Sequence, residues 1–408
     1  MINKCIYGAD ILLPNDTIEN EKWAVVAVDQ YTSEPEYWRE VEEFVGNSPS
    51  TLNITLPEVY LSESEQRTPR MQENMKKYLA EGILSEKVKN GYILVERTTE
   101  TGVRLGMMVC LDLEQYDYNA GSVSLIRATE GTVIERVPPR VKIRSGAVIE
   151  LPHVLMLLDD AKMRAIEPAY ENRDVLEKLY DFDLMQGGGH LRGWKIEGEM
   201  KDKIDAAFDE IYNESGSLFL AVGDGNHSLA AARAYWMEIR ESVPENERAS
   251  HPARYALAEI ENLHSPAIQF EPIHRIVTGV DPEKMIADYE KYLAENGEAI
   301  GEGEELTLVW GKNEKTYGFD HHPLKVLQAF LDEYMKNHPE AEIDYIHGDD
   351  TLRRLADRKN ALGLMPCAFE KAAFFPFIRT YGALPRKTFS MGHAHEKRYY
   401  FEARKIVK

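Results

Sequence analysis

Gly223, Asp224, Gly225, Asn226, His227 and Ser228 stand in one row between an apolar run, residues 218–222, and an alanine-rich segment, residues 229–234. The apolar run reads as a buried strand and the alanines as a helix. The two glycines permit a tight turn with backbone angles that side chains forbid. Asn226 or Ser228 is placed to cap the helix. A helix start presents backbone N–H groups and the positive end of a dipole, so the chemistry such a row suits is the holding of a phosphate or another anion. It matches neither the Walker pattern, since no Gly-Lys-Ser/Thr follows, nor the dinucleotide pattern, since the third spaced glycine is missing. The plain structural alternative is a strand–turn–helix connection in which His227 caps a neighbour's backbone.

Four further groups hold residues that could do chemistry. Arg127 stands with Thr129, Glu130, Thr132 and Arg140; guanidinium groups grip phosphate or carboxylate in two-pronged fashion, and the alternative is a pair of surface salt bridges. Asp159 and Asp160 close an apolar segment, a place suited to a divalent cation or to an ordinary acidic turn. His264, Glu271, His274 and Arg275 suit a general base or a phosphate contact, or else a buried, hydrogen-bonded His274. Zinc is disfavoured there, because no helical His-x-x-x-His spacing exists and prolines interrupt the segment. Arg386, Lys387, Ser390, His393 and His395 form a basic patch that attracts an anion or trails as an exposed tail. Gly-x-Ser-x-Gly is absent and no cysteine lies in a catalytic signature, so covalent hydrolase chemistry has no support.

The elements that must position these residues follow from pattern. Residues 11–13 and 23–28 read as strands, the second ending at Asp29, Gln30 and Tyr31, where open sheets place ligand contacts. A helix opens near Glu34 with Ser33 as cap and Pro35 in its first turn. Residues 69–82 read as a helix, 91–97 and 102–113 as a hairpin, and 122–128 as a strand. Residues 152–158 form an apolar segment and 174–184 a helix, which runs into Gly187–Gly188–Gly189. Residues 201–212 read as an amphipathic helix and 253–260 as a strand. Asp281 caps a helix to about residue 296, residues 306–310 form a strand, and helices cover 323–336 and 349–355. A polar tail closes the chain.

The 408 residues carry 69 Asp and Glu against 48 Lys and Arg, a formal net charge of −21. Such a surface repels nucleic-acid backbones and anionic membranes. Cys5, Cys110 and Cys367 are far apart and in no metal-binding spacing, and read as free thiols of a reducing compartment. No signal-peptide core follows Met1 and no apolar run reaches membrane-spanning length. The expectation is a cytoplasmic protein acting on small molecules, without nucleic acid or membrane as partner; self-association into a homo-oligomer is left open.

Taken as a set, the stretches Arg127-Ala-Thr-Glu-Gly-Thr, Pro138-Pro-Arg, Leu157-Leu-Asp-Asp, Tyr180-Asp-Phe-Asp-Leu-Met-Gln-Gly-Gly-Gly-His, Gly223-Asp-Gly-Asn-His, Phe270-Glu-Pro-Ile-His-Arg and Leu384-Pro-Arg-Lys-Thr-Phe-Ser-Met resemble the domain-of-unknown-function family 1015. The resemblance covers nearly the whole chain. That family is similar to proteins of the ParB/sulfiredoxin fold, which include archaeal-type free-serine kinases using ADP or ATP. The implied fold is mixed α+β: a ParB/sulfiredoxin-like core with large insertions over residues 1–280, and a C-terminal α/β extension over 281–408 packing on it. In that fold a Gly-x-His-Arg turn holds nucleotide phosphates, and Gly225-Asn226-His227-Ser228 occupies its place. Asn226 stands where sulfiredoxin chemistry needs cysteine, which argues against that reaction, and Ser228 replaces the usual arginine, which removes a phosphate-binding charge.

The resemblance thus implies a Mg-dependent phosphotransferase acting on a small hydroxyl substrate such as free serine, with ATP or ADP as cofactor. Gly223, Gly225, Asn226, His227 and Ser228 would meet the phosphates together with Arg127, Arg140 and Arg275. Asp224, Glu130, Glu34 and His274 are the catalytic candidates, and Asp159 and Asp224 the metal ligands. The kinase base is a glutamate in the N-terminal segment, where Glu34 and Asp29 are nearest in context. The alternative is a nucleotide-binding switch without phosphoryl transfer.

Overall fold

In the hairpin of strands Leu84–Thr99 and Gly102–Asp112, opposed as Ile93 to Met108 and Val95 to Gly106, side chains alternate between two hydrophobic cores. Tyr92, Leu94, Met107, Val109 and Leu111 enter one core, and Ile93, Val95, Met108 and Cys110 the other. The two-residue period of a strand requires this split when both faces are covered. The first core is closed by helix Gly198–Glu214 through Phe208 and Ile211, and by helix Asn226–Ile239 through Leu229 and Trp236. The second is closed by helices Pro35–Val45, through Trp38 and Val41, and Ser64–Ala80, through Met71, Met75 and Tyr78.

The protein is described from a computed structural model covering residues 3–408 apart from 33, 120, 299, 300, 386 and 393. The expected cap Ser33 and the patch residues Arg386 and His393 therefore lie outside the described residues. Helices and mixed sheets make the fold α+β, as expected. No helix among the described residues is long and apolar enough to cross a membrane.

The hairpin lies within an 11-stranded sheet. From it the order continues through Tyr255–Asn262, Leu155–Leu158, Leu220–Asp224, Ile126–Ala128 and Tyr116–Asp117. Leu155–Leu158 runs antiparallel to Leu220–Asp224, whereas Ile126–Ala128 runs parallel to it. On the other side of the hairpin lie His190–Ile196 and Lys178–Asp183. The helix expected over 174–184 is thus largely this edge strand: the Gly187–Gly189 turn folds it back on His190–Ile196, and pairing overrides the local helical pattern.

The chain divides into two compact units, residues 1–268 with 392–408 and residues 269–391. This differs from the expected division after residue 280 in two respects. Strand Glu271–Thr278 belongs to the second unit's sheet, and the last 17 residues return to the first. The polar tail is in fact interior: Phe401, Glu402 and Ala403 are buried, Tyr399–Tyr400 pairs with Val25–Val26, and Arg404–Lys405 pairs with Ile149–Glu150.

In the second unit an antiparallel sheet runs Asn313–Phe319, Glu304–Trp310, Ala361–Pro366, Glu271–Thr278, Glu342–His347, with Phe389–Ser390 beside Glu271. Helices Pro282–Glu295 and Leu324–Asn337 cover one face and Asp349–Ala356 the other. Asp281 caps the first of these, accepting from the N–H groups of Glu283 and Lys284.

Candidate functional site

Strand Leu220–Asp224 passes through Gly225, at φ +82°, straight into helix Asn226–Ile239. Glycine is required on two counts. The left-handed backbone strains any L side chain, and a Cβ here would lie 3.0 Å from Val154 Cα. No side chain caps the helix start, and Asn226 Oδ1 is buried without a hydrogen-bond partner. His227 Nε2 accepts the Val133 N–H at 3.2 Å, and the Thr129 hydroxyl donates to Val222 O at 2.6 Å. The segment 129–133, continuing from the parallel strand Ile126–Ala128, is thereby held along the turn, with Glu130 half-buried in it.

Asp224 carries the charge at the turn. Its Oδ1 accepts the Gly225 N–H at 2.8 Å and its Oδ2 meets Lys397 Nζ at 3.2 Å. Burial pushes this carboxyl up, but the charges of Lys397 and His153 overcome it and hold the group below the usual carboxylate range. His153 in turn links to the end of the first unit's N-terminal strand segment. Its Nδ1 lies 2.6 Å from the Tyr400 hydroxyl and its Nε2 faces Asp29 Oδ2 at 3.7 Å. That hydroxyl also accepts the Val28 N–H at 3.4 Å, which ties the His153 ring to the strand end before Asp29. Burial, then the Asp29 charge, push the Tyr400 phenol well up, so it stays a hydroxyl at neutral pH. Arg140, on helix Val137–Ser145, pairs with Glu58; burial pulls its guanidinium down, against the opposing charge of Asp29. Two residues past Asp29, Tyr31 takes a left-handed backbone, φ +53°, and stacks on Tyr37 with ring centroids 3.7 Å apart.

The expected residues divide accordingly. Gly223, Asp224, Gly225, Asn226, His227, Ser228 and Glu130 stand at the turn, and Arg140 is held in the field of Asp29. Arg127 turns the other way: its guanidinium donates to Ser124 O and Ser217 O, both before the N-terminal ends of the paired strands. Asp159 is separated by strand direction. Leu158 is opposite Leu220 while Leu155 is opposite Asp224, so the acids after residue 158 lie at the far end, on the order of 13 Å along the strand. Asp159 meets His264 Nε2 at 2.8 Å, and Asp160 is fully buried, accepting the N–H groups of Arg164 and Ala165. Asp159 and Asp224 do not fit a shared magnesium ion. Glu34 is exposed before helix Pro35–Val45. His274 and Arg275 belong to the second unit, where His274 Nε2 meets Asp349 at 2.8 Å and Arg275 donates to Ile273 O beneath the Tyr345 ring.

His153, Tyr400 and Lys397 were invisible as site residues in the sequence. Pro152 and His153 read as the start of an apolar segment, and the last two as a tail. Only Asp29 carried a signal, its place at a strand end.

The family model for proteins of unknown function, DUF1015, matches residues 12–371, and the chain belongs to this family. No protein of curated function matches it. Among solved structures, a free serine kinase variant in complex with AMP is similar over 73% of this chain and 92% of its own, at 13% identity and a TM-score of 0.40. SbnI from Staphylococcus aureus with a C-terminal truncation covers 70% and 82% at 9% identity and a TM-score of 0.35. A conserved hypothetical protein from Pyrococcus furiosus covers 72% and 90% at 12% identity and a TM-score of 0.35. Similarity at these TM-scores assigns no activity.

Proposed function

We propose that this DUF1015 member binds the phosphates of ATP or ADP at the start of helix Asn226–Ile239 and transfers a phosphoryl group to the hydroxyl of a small molecule such as free serine. The observation that carries the reading is the row Asp29–His153–Tyr400 set beside Asp224, Lys397 and the uncapped helix start. It joins an acid–base series to an anion-binding helix end. In phosphoryl transfer, alignment and charge neutralisation do most of the work. The helix start and Lys397 supply the neutralising charge, which Asp224 holds in place until phosphate competes for it. Asp29 takes the proton of the attacking hydroxyl; the new P–O bond forms as the bond to the nucleotide breaks. His153, fixed by Tyr400, orients Asp29. A cytoplasmic setting supplies the nucleotide and keeps the three thiols reduced.

A second reading, a nucleotide-gated switch without transfer, is favoured by one observation. The Asp224–Lys397 pair joins the glycine turn to the returning C-terminal segment, and phosphate bound there breaks it. Calorimetry with ADP and ATP, each with and without Mg²⁺, followed by ³¹P NMR with serine, separates the two. Binding with transfer supports the kinase, and binding without transfer supports the switch. Binding that is unchanged in Asn226→Asp, which sets a negative charge at the helix start in an isosteric side chain, moves the ligand elsewhere. No binding at all removes both readings.

A further inference from the structure

We propose that Glu304, His322 and Cys367 form a site for zinc or a similar thiophilic divalent ion in the second unit. One ligand atom from each lies within 4.8 Å of the others. Three strands in order Asn313–Phe319, Glu304–Trp310, Ala361–Pro366 bring them together. Glu304 opens the central strand opposite Phe319, three residues before His322. Cys367 follows the third strand, its N–H donating to Glu305 O at 2.9 Å. Sheet register thus fixes ligands that are 18 and 45 residues apart in the sequence, which is why no spacing motif announced them.

The donor set selects the ion. Thiolate and imidazole with one carboxylate suit zinc, whereas magnesium and calcium take oxygen. The ligand atoms of a tetrahedral zinc stand roughly 3.4–3.6 Å apart, so the widest gap closes by about 1.4 Å at most. Cys367 Sγ already lies 3.0 Å from Glu304 Oε2, its S–H donating to the carboxylate. Binding replaces that proton with the ion: the S–H bond breaks, the proton leaves to solvent, and the thiolate and carboxylate both ligate. The His322 ring is oriented beforehand, by Phe369 at a centroid distance of 4.7 Å and by Nε2 near Cys367 O at 3.3 Å. A carbonyl partner on one ring nitrogen is the usual support of a ligating histidine; the ligating nitrogen is then Nδ1, and the ion displaces the long 3.4 Å contact it accepts from the Leu324 N–H.

The test uses the full chain, stripped by chelator dialysis, loaded with Zn²⁺, freed of excess and analysed for metal. The expected result is about one zinc per chain. Cys367→Ser and Glu304→Gln each lower the affinity at least about 100-fold, since even outer partners are worth about 10- to 100-fold. Co²⁺ added to the unaltered chain gives a thiolate-to-cobalt charge-transfer band, a readout that needs no variant to fold. No retained zinc, no such band, or full retention in both folded variants overturns the proposal and leaves a hydrogen-bonded trio.

Discussion

Lys397 Nζ lies 3.2 Å from Asp224 Oδ2, so a residue near the end of the chain supplies the cation at a turn formed in its middle. Lys397 offsets the Asp224 charge there, in a protein of net charge −21. Without it an incoming phosphate would meet a bare carboxylate.

Lys397→Met therefore weakens nucleotide binding by about tenfold, or ~1.4 kcal/mol, measured by calorimetry. It also changes the pH dependence of stability. The Asp224 carboxyl is held below its ordinary value in the folded chain, so its contribution is present above the unfolded carboxylate range and lost as pH falls through the folded value. The melting temperature of Lys397→Met falls furthest below that of the unaltered chain at neutral pH, and the gap closes in acid. A gap that is constant with pH contradicts the electrostatic account.

Asp29→Asn separates chemistry from binding. The asparagine keeps its contact with His153 but cannot take a proton, so turnover drops about 10²- to 10⁴-fold while nucleotide affinity is retained. Tyr400→Phe leaves Asp29 in place and frees the His153 ring, so it costs less than the loss of Asp29. Initial rates and dissociation constants for the same variants decide this. Equal loss in both would make Asp29 a binding residue.

Gly225→Ala is expected to destabilise by about 1–3 kcal/mol, because the left-handed backbone and the 3.0 Å approach to Val154 Cα act together. Gly216→Ala isolates the first effect. It has φ +65° but nothing within 4 Å of its Cβ, so its cost stays near 1 kcal/mol. Denaturant midpoints of the two variants measure the difference.

Local pattern carried much of this fold. Residues 91–97 and 102–113 read as a hairpin, Asp281 marked its helix, and the glycine turn was visible at Gly223–Ser228. What local pattern cannot carry is strand direction and distant pairing. Asp159 and Asp224 both follow apolar strands and look equivalent, yet antiparallel register sets them at opposite ends. Tyr400 sits among polar residues that read as a tail, because the pairing that buries it is with Val25, and Lys397, half-buried, is placed by the same returning segment. The Glu304–His322–Cys367 cluster needs three strands in register before it exists.

Arg398 Nε lies 2.7 Å from Glu259 Oε2 and its Nη2 lies 2.6 Å from Glu402 Oε2, which is fully buried and also accepts from the Tyr180 hydroxyl on its other oxygen. Arg104 pairs with Glu261 at 2.8 Å, and with Arg398 and Glu259 the two line a cavity of about 20 Å³, enough for one water. Arg97 donates to the carbonyls of Gly188, His395 and Lys397, so the cluster also fixes the segment that carries Lys397. Arg398→Leu strands two buried carboxylates and should cost about 3–5 kcal/mol in stability. Glu259 tests the same cluster by pH. Burial, with the charges of Glu261 and Glu402, raises its carboxyl from 4.5 to about 7 against the pull of Arg398. A group with a raised folded value contributes most below its unfolded value, and that contribution is lost as pH climbs through the folded one. Stability should therefore fall between pH 4.5 and about 7, and this slope should vanish in Glu259→Gln. Thermal melts across that window decide it: an identical slope in the variant would show that Glu259 is ionised throughout, held by Arg398 alone.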